Sequence, residues 1–274
     1  MMNIPSDLKT RAYLKIGFCI YCRGTREPLS REHVIPRGLG GKSVPVGAHT
    51  AAVLGKASCE RCRKITHEFE TICQQQMFGH LRTRLGMKQR DIPDTVGGLL
   101  KFADGSIKEV YGHPDDFPAS LIMPMLRKDP GLWLPNDTIQ PPIRSYVHKV
   151  IFEPKMPSAF EAPEVGMKIE IDDYAYQRMI AKIALGAAIL KYGVAHFHPL
   201  VDNFIRGIEP DAVGRYLFGY DIEDEYPPFG GEQFHHSIIT REHVHNSVQY
   251  IIGFVRLFAH YGTPTHGVVV GMVK

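Results

Sequence analysis

The clearest helical periodicity in the chain begins near residue 59. Apolar side chains recur there at steps of three and four residues, the spacing of one helix face: Ile65, Phe69, Ile72, Cys73, Met77 and Leu81. This pattern predicts a helix that ends near Gly86. A second long helix is predicted from residue 172 through Lys191, because Asp172 or Asp173 can cap its first turn and apolar residues follow.

Strand patterns fill much of the remaining chain. Residues 99–103 and 107–111 flank Asp104-Gly105, a dipeptide typical of hairpin turns. Residues 145–152, 238–239, 248–258 and 267–273 also have the composition of strands. Residues 112–145 are rich in Pro and Gly and are predicted to be irregular with room for short strands, and residues 199–218 to hold one or two short helices. The fold class predicted is α+β.

Long elements are not expected at the beginning of the chain. Residues 1–17 are predicted to form a short helix or arm, and the glycines and prolines of residues 18–58 favour loops. The sequence DIPDTVGG at 91–98 interrupts the pattern, so we place a domain boundary there. It separates residues 1–92 from residues 99–274, which are predicted to form a mixed helix and sheet domain of unknown function.

The composition is that of a globular protein. The chain has 274 residues, of which 44% are apolar and 22% charged, so it can bury a sizeable core. No apolar run reaches the roughly 18–20 residues of a membrane span, and residues 1–18 lack the apolar segment of a signal peptide. We therefore expect a cytoplasmic protein.

Charge is distributed unevenly. Residues 1–100 hold 16 Lys and Arg against 8 Asp and Glu, a net charge of +8, whereas the whole chain carries only +3. A basic segment suits a polyanionic partner such as nucleic acid, because phosphate neutralisation releases counterions. An unevenly charged solvated surface is the alternative.

Four of the five cysteines form two pairs in this basic segment. Cys19 and Cys22 form one C-x-x-C, and Cys59 and Cys62 form the second. In a reducing compartment such pairs are typical metal ligands, and four thiolates complete a closed, structural zinc site. Reduced core cysteines or a redox C-x-x-C are the alternatives. Cys73 stands alone on the predicted helix face and is interpreted as a core residue.

A histidine beside a carboxylate lies between the two pairs, at Glu32-His33 in the sequence SREHVIPRGLGG. A neutral imidazole can take a proton from water, and a carboxylate can hold a hard divalent cation. These are the groups that a phosphodiesterase needs. Neighbouring residues on a regular strand point to opposite faces, so one site for both requires a twist or bulge there.

The combined pattern over residues 18–90 resembles the HNH endonuclease family, in particular the branch with four zinc-binding cysteines around a treble-clef-like ββα-metal core. The resemblance implies a zinc-bound nuclease domain acting on DNA, which we expect to be double-stranded. It implies His33 as general base and Glu32 as ligand of a catalytic Mg²⁺ or similar ion. Single-metal cleavage would leave 5′-phosphate and 3′-hydroxyl ends.

The sequence departs from this family after the last cysteine. The family places Asn or His there as a metal ligand, whereas this chain has Arg63, which cannot ligate a cation. His67 lies four residues on, on the same helix face, and is our candidate replacement, with Glu70 as the second. Arg63 is a candidate for bidentate phosphate binding, and Arg37 and Arg61 for nucleic-acid backbone contacts.

Three other interpretations stay open. A zinc-stapled module could bind nucleic acid without cleaving it, a thiol redox protein could use one C-x-x-C, and RNA could replace DNA as the substrate. The C-terminal histidines occur in pairs with no carboxylate or cysteine pattern joining them, so no second metal site is predicted there: His196, His198, His235, His236, His243 and His245.

Overall fold

A small sheet, the turn after its first strand and a helix hold the paired cysteines in the computed structural model. The structure describes residues 13–25, 28–40, 52–87, 95–135, 143–155, 164–209, 215–220 and 236–274. The sheet has the order β1-β3-β2, with β1 parallel and β2 antiparallel to β3. Its strands are β1 (Tyr13–Lys15), β2 (Leu29–His33) and β3 (Val53–Cys59). Helix α1 (Glu60–Ile72) follows β3 directly.

The single helix predicted to end near Gly86 is divided in two. A π-helical segment, Cys73–Met77, follows α1, and α2 (Gly79–Arg84) begins after Phe78. The amide of Phe78 donates to the carbonyl of Cys73 at 3.0 Å, which is an i to i−5 bond. The π-helical turn and the non-helical backbone at Phe78 (φ −117°) interrupt the α-helix, yet Cys73, Met77 and Leu81 stay buried, so the apolar periodicity alone did not reveal the break.

The predicted hairpin is confirmed. β4 (Val96–Lys101) pairs with β5 (Ile107–Gly112), and β8 (Glu164–Gly166) adds to its other edge. Residue Gly105 in the connecting turn has φ +83°, which glycine adopts readily.

A two-stranded ribbon follows this sheet. It contains β7 (Ile143–Phe152), as expected, and β6 (Ala119–Leu126). The eight-residue strand β6 corrects the prediction that its region is largely irregular. Pro124 interrupts the sequence pattern, but proline is tolerated on an edge strand.

The largest sheet lies at the C-terminal end of the chain. Its order is β10-β13-β12-β11, and β9 pairs with β13. The long antiparallel pairings confirm the strands predicted near residues 238, 248 and 267, and the short helix α4 confirms a helix within residues 199–218. The elements are β9 (Phe197–Pro199), α4 (Asp202–Ile205), β10 (Leu217–Tyr220), β11 (His236–His245), β12 (Val248–Leu257) and β13 (Thr265–Val273).

Helix α3 (Asp173–Tyr192) lies at the centre of the fold. It begins as predicted, because the Asp172 carboxylate accepts a hydrogen bond from the Ala175 amide at 2.8 Å. Of its 20 residues, 14 are buried, which is typical of a helix surrounded by other elements. It packs against the large sheet, where a Cβ at Gly253 would lie 2.7 Å from Ala184, and against α1.

One hydrophobic cluster continues from the cysteine-bearing segment through α3 into the large sheet. The predicted boundary at 91–98 lies partly outside the described residues, and the division into two domains stays a prediction. Residues 1–12 of the predicted arm also lie outside, while residues 13–15 form a strand. None of the helices in the described segments is both long and apolar enough to cross a bilayer.

Buried His266 makes stability depend on pH. Its Nε2 bonds to the Pro124 carbonyl at 2.9 Å and its Nδ1 to the Tyr176 hydroxyl at 3.3 Å, an arrangement that the neutral ring satisfies. Burial lowers the pKa of His266 to about 4. Between pH 6.5 and 4 the unfolded chain therefore binds the proton and the folded chain does not, so stability falls as pH falls.

We expect this histidine to remove about 2 kcal/mol of unfolding free energy between pH 7 and pH 5. Urea unfolding of the wild type and of His266→Gln at both pH values measures the effect. The variant should lose correspondingly less stability on acidification, although it is less stable at pH 7. The exposed His260→Gln serves as control. Equal pH dependence in the wild type and His266→Gln would contradict the prediction.

Candidate functional site

The four paired cysteines converge on one point. Their sulfur atoms all lie within 4.8 Å of one another, and those of Cys22 and Cys59 are 3.7 Å apart. Thiolates 2.3 Å from a tetrahedral zinc are about 3.8 Å apart, so the donor set and its spacing fit this metal. The expected four-cysteine cluster is confirmed as a site that could hold zinc. It is the metal-ligand group of three or more side chains found within the described segments.

The local backbone structure directs these four sulfur atoms toward one another. After β1 the chain turns at Arg23, whose φ is +62°, and its amide donates to the Cys19 carbonyl at 2.8 Å. This turn brings Cys22 back beside Cys19. Cys59 ends β3 and Cys62 lies in the first turn of α1, so the strand–helix junction supplies the second pair.

Proton sharing within the cluster favours metal binding. A hydrogen bond from the Cys62 thiol lowers the pKa of Cys19 to about 4, and donating that bond raises the pKa of Cys62. Cys19 is therefore a thiolate at neutral pH, which is the form that ligates a metal. Cys73 is buried outside this group, as the sequence interpretation places it.

Glu32 lies in β2 and forms a buried ion-pair network with a residue far away in sequence. Its Oε1 is 2.9 Å from the Nζ of Lys182 in α3, and Oε1 of Glu70 in α1 is 2.9 Å from the same nitrogen. The side chain of Lys182 is 1% exposed. Burial raises the pKa of Glu70 despite the neighbouring ammonium. Two carboxylates thus share one buried cation.

The same ammonium also binds the backbone next to the candidate base. Lys182 Nζ donates to the carbonyl of His33 and lies 3.3 Å from that of Val34. Helix α3 approaches this strand end closely, since a Cβ at Gly186 would lie 3.1 Å from a Val34 methyl. Helix α3 therefore holds the carbonyl groups at the C-terminal end of β2, at His33 and at the following Val34.

His33 itself is half-buried. Burial, followed by the positive charge of Lys182, lowers its pKa, and the nearby charges of Arg37 and Arg31 act in the same direction. The imidazole is consequently neutral at physiological pH. Both arginines are exposed.

A register irregularity occurs in β2 before Glu32, between Ser30 and Glu32. Glu32 and His33 themselves pair consecutively, with Leu54 and Val53. Their side chains therefore project to opposite faces of the strand: Glu32 is buried beneath the sheet and His33 is accessible. The irregularity is close to the position where we expected it, but it does not bring the two side chains to one face.

The remaining candidates on α1 separate into two groups. Glu70 joins the network of Lys182, whereas His67 is exposed. Arg63 is 46% exposed and forms a bidentate ion pair with Glu60, with both N–O distances 2.8 Å. Arg61 is exposed one residue after Glu60.

A divalent ion on Glu32 does not fit this arrangement. The Glu32 carboxylate is already neutralised by Lys182. Neither Glu32 nor His67 belongs to a group of three or more metal-ligand side chains among the described residues. The predicted pair of ligands stays a prediction, and no chemical step is derived from it below.

Lys182 was not predicted as a site residue, although the sequence contains a signal. It is the charged residue in the otherwise apolar segment 179–190 of α3. A lysine in such a segment must find a buried counter-charge, because an unpaired ammonium is costly to desolvate. The positions of the acidic residues in the sequence do not reveal which of them supplies that counter-charge.

The turn after His33 is held by two distant side chains. Arg82 Nε donates to the Gly38 carbonyl at 2.8 Å, and the His236 ring bonds to the Leu39 carbonyl at 2.9 Å. A Cβ at Gly38 would lie 1.8 Å from Gln74 Oε1, so a larger residue there would displace the Gln74 side chain. These bonds hold the backbone that follows exposed Arg37, whose charge acts on His33.

The C-terminal histidines have other surroundings. His196 pairs with Glu242 at 2.9 Å, and the rings of His243 and His245 stack on Trp133. His235 lies outside the described residues.

Comparison with known proteins adds no assignment. No protein family model matches the chain, and no significant match is found among curated proteins or solved structures.

Proposed function

We propose that the chain is a zinc-stabilised HNH-type endonuclease that hydrolyses DNA phosphodiester bonds with His33 as general base. The observation that carries the proposal is the surroundings of His33. Its imidazole is accessible and has a lowered pKa, and it lies near Arg31 and Arg37. A neutral base beside positive charges suits an anionic substrate.

The order of local elements supports the family resemblance. Strands β2 and β3 are antiparallel, α1 follows, and the cysteines lie at the β3–α1 junction and in the turn after β1. We interpret these elements as a treble-clef-like ββα core stapled by zinc. In this interpretation the metal is structural, because four thiolates leave no open coordination position.

The proposed reaction uses His33 to accept a proton from water as its oxygen attacks phosphorus. The bond from phosphorus to the 3′-oxygen breaks, and that oxygen takes a proton from solvent water, which leaves a 3′-hydroxyl and a 5′-phosphate while His33 returns its proton to solvent. Arg31 and Arg37 would offset the negative charge that develops on the phosphate. The resemblance implies a divalent ion on Glu32, and His67 is our own candidate for the ligand missing at Arg63. Because the Lys182 ion pair opposes such an ion, cleavage has to be compared with and without added metal.

Replacing His33 by alanine is expected to slow cleavage about 10²–10⁴-fold, the usual contribution of a general base. The measurement is nicking of supercoiled plasmid by zinc-loaded protein with Mg²⁺, with Mn²⁺ and with EDTA; a labelled RNA provides a parallel substrate. Zinc content and melting temperature should not change. His148→Ala, at an exposed position of β7, is the matched control. Equal cleavage by wild type and His33→Ala would refute the assignment.

A second candidate is a zinc-stapled module that binds nucleic acid without cleaving it. Two observations favour it: Glu32 is neutralised by Lys182, and Arg63 stands where the family has a metal ligand and pairs with Glu60. This candidate predicts salt-dependent DNA binding that persists in EDTA and no cleavage with any divalent ion. Binding that weakens in Arg37→Ala but not in His33→Ala would support it further.

A further inference from the structure

A cation-binding arrangement of oxygens surrounds the Lys182 ammonium. Within 3.3 Å of Nζ lie the carboxylate oxygens of Glu32 and Glu70 and the carbonyl oxygens of His33 and Val34. An ammonium has three N–H donors, so four acceptor oxygens are enough to use all of them. The oxygens come from β2, from Val34 just after it and from α1, and the cation comes from α3.

Because this arrangement is buried, it leaves no room for a divalent ion beside the Lys182 ammonium. The side chains of Lys182 and Glu32 are 1% and 8% exposed, and that of Glu70 is 15% exposed. A divalent ion bound to the same Glu32 oxygen would lie within a few ångströms of the ammonium, in a region with little water to screen the repulsion. Mg²⁺ would also have to lose most of the water that it normally retains.

We propose that Lys182 is a built-in cation of this site: it takes the position between Glu32 and Glu70 that a divalent ion would occupy and ties the His33 strand to α1 and α3. Lys182 is a positioning residue, because it contacts the backbone of His33 rather than a substrate. The HNH interpretation gives the inference its significance, but the inference concerns metal binding and does not require cleavage.

The inference predicts how the wild-type protein responds to Mn²⁺. A Mn²⁺ ion on Glu32 would broaden the ring NMR signals of the adjacent His33 at substoichiometric concentration. In the zinc-loaded full chain we expect the His33 signals to broaden no more than those of exposed His148. Saturable broadening of His33 that is absent in Glu32→Gln would overturn the proposal.

A variant tests the same inference by gain of binding. Lys182→Met leaves two facing carboxylates without a counter-charge, and we expect its affinity for Mn²⁺ to rise at least about tenfold, which corresponds to a favourable change of about 1.4 kcal/mol. The EPR signal of free Mn²⁺ measures binding. In Lys182→Met/Glu70→Gln the gain should disappear.

Unchanged Mn²⁺ affinity in a folded Lys182→Met protein would count against the inference. The His33 comparison uses the wild type, so it decides the matter if that variant does not fold. Neither measurement depends on cleavage. The nuclease proposal can therefore fail the His33→Ala test while the Mn²⁺ measurements support the role of Lys182, and the reverse outcome is equally possible.

Discussion

Replacement of Cys62 by serine is expected to abolish stoichiometric zinc binding and to unfold the cysteine-bearing part of the chain. Cys62 is 2% exposed and its sulfur belongs to the convergent group. Structural zinc contributes on the order of 10 kcal/mol to the folding of small metal-stapled segments. A loss of this size is comparable with the whole stability of a domain.

The measurements are zinc content by mass spectrometry and thermal unfolding by circular dichroism. Cys73→Ala is the matched control, since Cys73 is equally buried but lies outside the group. It should keep one zinc per chain and lose only the small free energy of a filled core position. Full zinc content and wild-type melting in Cys62→Ser would mean that the four sulfurs do not hold a structural metal.

Removal of the buried ammonium is the second large perturbation. We expect Lys182→Met to lower the free energy of unfolding by about 3–5 kcal/mol, because breaking a buried ion pair leaves an uncompensated charge. Here two carboxylates lose their shared partner. Urea unfolding of the zinc-loaded protein provides the measurement.

A double-mutant cycle separates lost charge from lost packing. Glu70→Gln removes one of the carboxylates, so Lys182→Met/Glu70→Gln should be more stable than the sum of the single losses implies. Lys191→Met, at an exposed position of the same helix, should cost much less. Strict additivity of the two network substitutions would show that their charges do not interact.

The elements that the sequence predicted correctly are those whose signals are local. The Asp172 cap and the apolar segment after it specify α3, and the turn around Gly105 specifies its hairpin. The two C-x-x-C pairs predicted a four-sulfur cluster because each pair positions its own sulfurs within one turn. These features depend on residues only a few positions apart.

The parts that sequence analysis missed depend on tertiary contacts. Helical spacing places both His67 and Glu70 on the face of Arg63, and only the packing of α3 against α1 decides that Glu70 joins Glu32. Lys182 is about 150 residues from Glu32, so no spacing rule connects them. The π-helical segment before Phe78 likewise keeps the apolar periodicity while it interrupts the α-helix.

The position of α3 has a consequence for protein engineering. Lys182 and Gly186, one helical turn apart, face the strand end at His33 and Val34. If residues 13–87 were grafted into another protein, Glu32 and Glu70 would lie side by side without the Lys182 ammonium. The surface at Val34 that packs against Gly186 would also be exposed. A graft of the four-cysteine segment should therefore include this helix, or a substitute helix with a lysine and a glycine four residues apart at the same positions.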